Sequence, residues 1–212
     1  MMENMTFILE LIGAAAFSVS GAMLAIEKRA DIFGVIFLAV TTALGGGVIR
    51  DLLIGQIPPK MFVSYYYLLI AVIAALAVFV DAYVRPDRYV KHKDKLDAVN
   101  NVFDAIGLAV FTITGMNAAM EVGGNALLTL FVGVCTGVGG GMLRDVMTNT
   151  MPKVLRKRVY AVASLLGGGL YYLMLLIEIP QLVCVMCGML LIFLLRLFAT
   201  RFKWNLPTVK LD

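Results

Sequence analysis

Seven apolar stretches, separated by short polar segments, run along the chain. They cover residues 7–26, 32–54, 61–84, 99–120, 126–149, 159–177 and 180–195. Most are close to the roughly 20 residues that a helix needs to cross a bilayer, and none alternates like a strand of a membrane barrel. The pattern predicts an all-α membrane protein with seven transmembrane helices, the short seventh being extended by a snorkelling Arg196.

Composition supports the membrane class. Of the 212 residues, 61% are hydrophobic and 15% are charged, whereas an average soluble domain has about 25% charged residues. So few polar side chains leave too little polar surface to cover a globule in water. The first stretch is not predicted to be a cleaved signal, because no basic region precedes it and charged residues follow it.

The basic residues lie almost entirely on one side of the predicted membrane. They follow the first, third and fifth stretches or lie in the C-terminal tail, and the other side has only Lys60. The positive-inside rule therefore predicts an outward N-terminus and a cytoplasmic C-terminus. This asymmetry explains the net charge of +4 and favours contact with anionic membrane lipids. No nucleic-acid partner is predicted.

One phrase occurs twice in the chain. Residues 45–51 read Gly-Gly-Gly-Val-Ile-Arg-Asp, and residues 139–145 read Gly-Gly-Gly-Met-Leu-Arg-Asp, 94 positions later. The same offset aligns Glu10 with Asp104, Phe17 with Phe111, Gly21 with Gly115 and Pro58 with Pro152. We therefore divide the chain into a three-helix repeat at 1–90, a second at 91–178, and a seventh helix with its tail at 179–212. Because three is an odd number of spans, the second repeat is predicted to be inverted.

The three glycines of each copy predict breaks in the second and fifth helices. A glycine costs about 1 kcal/mol relative to alanine within a helix. Inverted repeats commonly place such broken helices against each other near the midplane, where transporters bind substrate and ions. Unwound carbonyl groups would then be available to a cation. The alternative is a glycine notch for close helix packing with a structural ion pair.

Arg50 and Arg144 are predicted to turn inward. An arginine at the membrane centre costs at least about 2.5 kcal/mol when it faces lipid. Neighbouring side chains on a helix point about 100° apart, so a bidentate pair between Arg50 and Asp51 is not expected. Two sets of partners remain open: Arg50 with Asp145 and Arg144 with Asp51, or pairing of the arginines with Glu10 and Asp104.

The doubled motif and the three-plus-three-plus-one arrangement resemble prokaryotic members of the trimeric intracellular cation channel (TRIC) family, also labelled UPF0126 or glycine transporters. The resemblance covers nearly the whole chain. It implies a homotrimer in the cell (inner) membrane, with a potassium-permeable pore in each protomer lined by kinked helices 2 and 5 together with 1 and 4. The lysine-containing pore motif of the animal members is absent, so their calcium, voltage or phosphoinositide gating is not carried over.

The predicted ion pathway combines the two motifs with nearby hydroxyl groups. An arginine repels a cation unless a carboxylate neutralises it, so the aspartates are expected to do so. The hydroxyls can line the pathway or bond to their own helices. No TVGYG-type filter is present, so potassium and sodium are both candidate ions. The candidate pathway residues are Gly45, Gly46, Gly47, Arg50, Asp51, Gly139, Gly140, Gly141, Arg144, Asp145, Ser18 and Thr112.

Other functions have less support in the sequence. The main alternative is a secondary transporter of glycine or another small zwitterion, because inverted repeats suit alternating access equally well. A purely structural scaffold is a third possibility. No enzyme is predicted, since standard catalytic motifs are missing. Cys184 and Cys187 lack a second ligand pair, so no metal site or cofactor is predicted.

Overall fold

The computed structural model describes residues 2–156 and 159–204, which form ten α-helices. In chain order they are α1 (Met2–Glu27), α2 (Ile32–Leu53), α3 (Lys60–Val63), α4 (Tyr65–Val84), α5 (Pro86–Lys91), α6 (Lys93–Glu121), α7 (Ala126–Met147), α8 (Lys153–Arg156), α9 (Ala161–Leu176) and α10 (Gln181–Arg201). No strand occurs within these described ranges.

Six of these helices, α1, α2, α4, α6, α7 and α10, have the length and apolar composition needed to cross a membrane. The sixth apolar stretch forms α9, which is apolar but has only 16 residues. The predicted all-α membrane fold is therefore confirmed. The fourth stretch lies within α6, which has 29 residues and begins in the polar segment at Lys93.

The starts of α2 and α7 are set by equivalent residues of the two repeats. Asp31 Oδ1 accepts a hydrogen bond from the Gly34 amide at 2.7 Å. Asn125 Oδ1 accepts the same kind of bond from the Leu128 amide at 2.9 Å. Such side chains satisfy amide groups that have no partner in the first turn. The duplicated sequence thus starts both helices at the same point of the repeat.

Helices α1, α2, α6 and α7 form the centre of the molecule. Each packs along two of the others, with α2 directly against α7 and α1 against α6. Helix α4 covers α1 and α2, while α9 and α10 pack together and cover α6 and α7. The glycine motifs of α2 and α7 therefore lie in the middle of the molecule.

The predicted breaks in α2 and α7 are wrong, because both helices continue through their glycines. A Cβ on Gly46 would overlap the Thr136 carbonyl oxygen, and a Cβ on Gly140 would overlap the Thr42 carbonyl oxygen. The glycines thus allow two intact helices to touch through their backbones. Unpaired backbone groups in a membrane cost several kcal/mol each, more than the about 1 kcal/mol by which a helical glycine is disfavoured.

The helices α2 and α7 cross in opposite directions. A Cβ on Gly45 would meet Leu143, and a Cβ on Gly139 would meet Ile49. An earlier residue of one helix therefore faces a later residue of the other, as antiparallel helices require. The arginines Arg50 and Arg144, each near the C-terminal end of its helix, consequently lie at opposite ends of the crossing.

Arg196 does not snorkel toward the membrane surface, so that prediction is wrong. Its side chain is 3% exposed, and Nη2 donates to Asp104 Oδ2 at 3.4 Å. The buried carboxylate stabilises this cation inside the molecule, because a buried charge requires an opposite charge nearby. Helix α10 therefore does more than pack at the periphery, as it contributes a charge to the interior.

Candidate functional site

Arg50 is held by carboxylates from its own repeat. Its Nη1 donates to Glu10 Oε1 at 2.5 Å, and its Nε donates to Asp51 Oδ1 at 2.7 Å. All three side chains are almost completely buried. Of the two predicted sets of partners, the pairing with Glu10 is confirmed and the cross-repeat pairing is not observed. Asp51 contributes a single bond, in agreement with the expected absence of a bidentate pair.

Two further side chains complete this group, which we call the first cluster: Glu10, Arg50, Asp51, Lys60 and Tyr67. Glu10 Oε2 accepts from Lys60 Nζ at 3.0 Å and from the Tyr67 hydroxyl at 2.6 Å. The Lys60 amide donates to Asp51 Oδ2 at 2.7 Å. Two cations therefore face two carboxylates, and the cluster as a whole is neutral.

Arg144 has the equivalent environment in the second repeat. Its Nη1 donates to Asp104 Oδ1 at 2.7 Å and to the Ser20 hydroxyl at 2.6 Å. Its Nε donates to Asp145 Oδ1 at 2.9 Å, and the amide of Lys153 donates to Asp145 Oδ2 at 2.9 Å. The bond from Ser20 of α1 ties this group to the first repeat.

The second cluster consists of Asp104, Arg144, Asp145, Lys153, Tyr160 and Arg196. Arg196 Nη2 lies 3.4 Å and Lys153 Nζ lies 3.7 Å from Asp104 Oδ2. The guanidinium carbon of Arg196 lies 4.4 Å from the centre of the Tyr160 ring, a cation–π arrangement. Three cations face two carboxylates, so this cluster carries one more positive charge than the first.

That excess charge affects Lys153, which lies in the connection between α7 and α9. Its partial removal from water, together with the positive charge of Arg144, lowers the pKa of the amine from the ordinary 10.5 to about 8. Removal from water and a nearby like charge both disfavour the protonated form of an amine. The charge of the second cluster therefore changes in a mildly alkaline range.

The twelve predicted pathway residues are all buried, and the six glycines among them allow close packing. The glycines of both motifs lie at or beside the α2–α7 crossing, where a Cβ on Gly47 would strike Met61 and one on Gly141 would come within 2.9 Å of the Tyr160 hydroxyl. The Ser18 hydroxyl donates to the Ala71 carbonyl of α4 at 2.6 Å. The Thr112 hydroxyl lies 2.7 Å from the Leu108 carbonyl of its own helix and 3.1 Å from the Ser164 hydroxyl of α9.

Sequence reasoning missed several members of the clusters. Lys60 and Lys153 each follow a proline just beyond the repeated motif, so an alignment that allowed one inserted residue would have paired them. Tyr67 belongs to a run of three tyrosines at residues 65–67, a pattern typical of side chains at the membrane interface, but its side chain is fully buried. Arg196 has no counterpart in the first repeat. The missed residues are Lys60, Tyr67, Lys153, Tyr160 and Arg196.

A cavity of about 970 Å³ adjoins the second cluster. Its wall includes Asp145, Lys153 and Arg196, together with charged residues at the start of α6 and the end of α10. These three residues also belong to the second cluster, and Asp145 is only 3% exposed. The cavity therefore connects the second cluster with the surface at the α7–α8 connection.

The fold and site define a class: an all-α membrane protein in which two intact helices cross between two buried clusters of ion pairs. A family model described as "Glycine transporter" matches residues 7–82 and 101–176. The chain belongs to this family, which includes UPF0126 membrane proteins and TRIC channels.

Two bacterial relatives illustrate the sequence similarity. The UPF0126 inner membrane protein YadS of Escherichia coli K12 is 37% identical over 208 residues, which cover 96% of each chain. The UPF0126 membrane protein YvgT of Bacillus subtilis is 36% identical over 212 residues, which cover 94% of each chain.

Solved structures show the same fold. A structure determined to explain conductance through TRIC cation channels is 36% identical, with a TM-score of 0.84 over 97% of each chain. The TRIC trimeric intracellular cation channel orthologue from Rhodobacter sphaeroides is 30% identical, with a TM-score of 0.85 over 95% of this chain and 100% of the other. These relatives are membrane proteins and channels, and the chain is not an enzyme.

Proposed function

We propose that the protein is a monovalent cation channel, permeable to potassium and also to sodium, with one pore within each chain between two inverted repeats. The observation that carries this proposal is the similarity to a TRIC cation channel over 97% of the chain at 36% identity. At that identity and coverage, the similarity extends to the sequence as well as to the fold. The buried charges and the glycine crossing between the two repeats support the proposed location of the pore.

Reciprocal contacts support the inverted repeats at 1–90 and 91–178. Where a residue of one repeat contacts a residue of the other, the two residues at the equivalent positions, 94 positions away, are also in contact. Two-fold related units produce this pattern, as in an isologous interface. Examples are Gly45 with Leu143 and Gly139 with Ile49, Gly46 with Thr136 and Gly140 with Thr42, and Gly13 with Phe111 and Gly107 with Phe17.

The proposed pore runs from one cluster to the other past the α2–α7 crossing. Arg50 and Arg144 each lie 2.5 to 2.9 Å from carboxylates, which reduces the repulsion that a free arginine would exert on a cation. At the crossing the helices touch, so the proposed route is closed in this conformation. The proposed lining comprises Ser18, Gly45, Gly46, Gly47, Arg50, Asp51, Thr112, Gly139, Gly140, Gly141, Arg144 and Asp145.

The proposed assembly is a homotrimer in the bacterial inner membrane, with the N-terminus outside and the C-terminus in the cytoplasm. The Rhodobacter sphaeroides protein is described as trimeric, and the Escherichia coli relative is an inner membrane protein. The basic residues on one side support the orientation. Mass measurement in detergent tests the number of subunits.

Recordings from purified protein in planar bilayers test channel function. We expect unitary currents that reverse near the cation equilibrium potential in a potassium chloride gradient. Arg144→Ala and Asp145→Ala should alter conductance or selectivity, whereas Arg85→Ala, at an exposed ion pair, should not. Absence of unitary currents from correctly assembled protein would contradict the channel.

The description of the matching family model as a glycine transporter supports a second candidate function. In that case an arginine would hold the substrate carboxylate and an aspartate its ammonium group. Protein reconstituted into liposomes should then show saturable glycine exchange without unitary currents. Recording of unitary currents and measurement of glycine exchange therefore distinguish a cation channel from a glycine transporter.

A further inference from the structure

We propose that Ser20 and Thr114 are alternating partners of the two motif arginines, and that the protein has a second conformation in which Arg50 bonds Thr114 while Arg144 releases Ser20. Ser20 and Thr114 are equivalent residues of the two repeats, 94 positions apart, and both are completely buried. The inference deepens the proposed function, because it rests on the inverted repeats and describes how the two ends of the route become accessible in turn.

The Ser20 hydroxyl joins the two repeats at the second cluster. It accepts from Arg144 Nη1 at 2.6 Å, which ties α1 to α7. The two-fold relation between the repeats would tie α6 to α2 in the same way, through Thr114 and Arg50. Helix α6 contacts α2, as α1 contacts α7. Within residues 2–156 and 159–204, however, the Thr114 hydroxyl has no hydrogen-bond partner.

The unpaired hydroxyl of Thr114 differs from those of other buried threonines. A threonine within a helix commonly bonds back to the carbonyl group four residues earlier. Thr42, Thr112 and Thr136 do so at 2.6 to 2.7 Å. An unpaired buried hydroxyl costs free energy, so Thr114 is expected to have a partner in another arrangement of the helices.

Two tyrosines show the opposite pattern. Tyr67 and Tyr160 are equivalent once the connection after the second motif is counted as one residue shorter. The Tyr67 hydroxyl donates to Glu10 Oε2 at 2.6 Å, whereas the Tyr160 hydroxyl is unpaired in the part of the chain that the structure describes. The first cluster therefore has the tyrosine bond without the bond from the other repeat, and the second cluster has the reverse.

The proposed exchange leaves the number of these hydrogen bonds unchanged. The observed conformation leaves the hydroxyls of Thr114 and Tyr160 unpaired. The second conformation would pair both and leave those of Ser20 and Tyr67 unpaired instead. Two packings of one chain are both populated when their free energies differ little, and equal numbers of similar bonds favour that condition.

A packed centre couples the two ends. Ser20 and Thr114 lie at the same distance from the C-terminal ends of α1 and α6, and in inverted repeats these ends lie on opposite sides of the centre. The rings of Phe17 and Phe111 stack between them, 5.4 Å apart. When α1 and α6 rock together about this centre, approach of α1 to α7 at one end withdraws α6 from α2 at the other. Rocking of packed elements is a common motion between repeats.

The cavity of about 970 Å³ agrees with this motion, because it adjoins the second cluster, where the tyrosine bond is missing. In the second conformation Tyr67 would leave Glu10, and the first cluster would become accessible from the opposite side of the membrane. For the proposed channel, the two conformations are closed states with access from opposite ends. For a glycine transporter, they are the two access states.

Fluorine NMR in detergent tests the exchange. Met151 lies in the wall of the cavity, and Ile57 is its equivalent in the first repeat. In a background where Cys135, Cys184 and Cys187 are replaced by alanine, a trifluoroethylthio label on Ile57→Cys or on Met151→Cys reports on its own end. Each label should give two signals, or one averaged signal, that follow the populations of the two conformations.

Ser20→Ala should raise the population ratio of the second conformation at both labels by about tenfold or more, because a hydrogen bond to a charged group contributes that much. Adding Thr114→Val should reverse this change, since it removes the bond of the second conformation. Ser20→Thr, which keeps the hydroxyl, is the matched control and should leave the ratio unchanged. Tyr67→Phe removes the other bond of the observed conformation and should act like Ser20→Ala.

Three results would overturn the exchange: an effect of Ser20→Ala at the Met151 label only, the same effect in the double variant, or no effect of Ser20→Ala and Tyr67→Phe at either label. A fixed difference between the repeats, such as the shorter side chain of Asp104 against Glu10, would produce them. Fluorine NMR records no transport, so these results would leave the channel proposal intact. Absence of unitary currents would contradict the channel and leave the exchange intact.

Discussion

Phe17 of α1 and Phe111 of α6 stack on each other with ring centres 5.4 Å apart, both completely buried. They occupy the same position in the two repeats, 94 residues apart. A residue contacts its own counterpart in this way when both lie close to a two-fold axis. The stack also lies beside the α2–α7 crossing, because Phe17 adjoins Gly140. The stacked rings therefore help to close the proposed route at the crossing.

Removing one ring should open the proposed pore. Phe111→Ala leaves space at the centre, so we expect a higher unitary conductance or open probability in planar bilayers. The variant should also lose about 3–5 kcal/mol of stability because of the cavity. The matched control is Phe37→Ala, which removes a ring that is 51% exposed and should leave the currents unchanged. Equal currents from folded Phe111→Ala would remove the stack from the pathway.

Alanine at the helix crossing should destabilise the protein. Gly46→Ala places a methyl group on the Thr136 carbonyl oxygen, and overpacking of this kind costs about 1–3 kcal/mol. Gly169→Ala is the control, since no atom lies within 4 Å of its Cβ position, and it should gain up to about 1 kcal/mol from helix propensity. Titration with SDS measures both free energies of unfolding. Similar values for the two variants would contradict close packing at Gly46.

Neutralising the central carboxylate of the second cluster should have a large effect. Asp104→Asn leaves three cations facing only Asp145, and breaking a buried ion pair costs about 3–5 kcal/mol. Asp81→Asn, at an exposed pair with Arg85, should cost less than about 1 kcal/mol. The free energy of unfolding in detergent is again the measurement. A small loss for Asp104→Asn would show that the ion pairs are not structural.

Lys153 should make stability depend on pH. Its pKa of about 8 in the folded protein lies below the ordinary 10.5, so between these values the unfolded chain binds more protons than the folded one. The free energy of unfolding therefore gains a contribution that rises from about pH 8 to about pH 10.5. Lys153→Met should lack this rise, while Lys93→Met, at an exposed amine, should keep it. Tm measured against pH checks the difference.

Cysteine labelling tests the inverted topology. Ile57 and Met151 are equivalent residues of the two repeats and are 76% and 60% exposed. In a background where Cys135, Cys184 and Cys187 are replaced by alanine, a membrane-impermeant maleimide should label Ile57→Cys in intact cells. Met151→Cys should react only after the membrane is permeabilised. Labelling of both from the same side would exclude inverted repeats.

Much of the fold could be predicted because the signals are local. Apolar length is sufficient to mark spans in a membrane, and Asp31 and Asn125 mark the starts of α2 and α7 through bonds to residues three positions away. The inward direction of Arg50 and Arg144 followed from the cost of a charge in lipid. The choice between their two predicted sets of partners did not follow, because Glu10 and Asp104 lie 40 residues away on other helices.

The sequence by itself determined the membrane class, the duplication and the inward direction of Arg50 and Arg144, since each depends on residue type and spacing. Only the tertiary structure decided what the glycines and charges do. Helices α2 and α7 stay intact because a neighbouring backbone occupies the space beside Gly46 and Gly140. The two clusters differ because α10, which has no counterpart, brings Arg196 to Asp104. Contacts between distant segments depend on packing in three dimensions, which local sequence patterns do not specify.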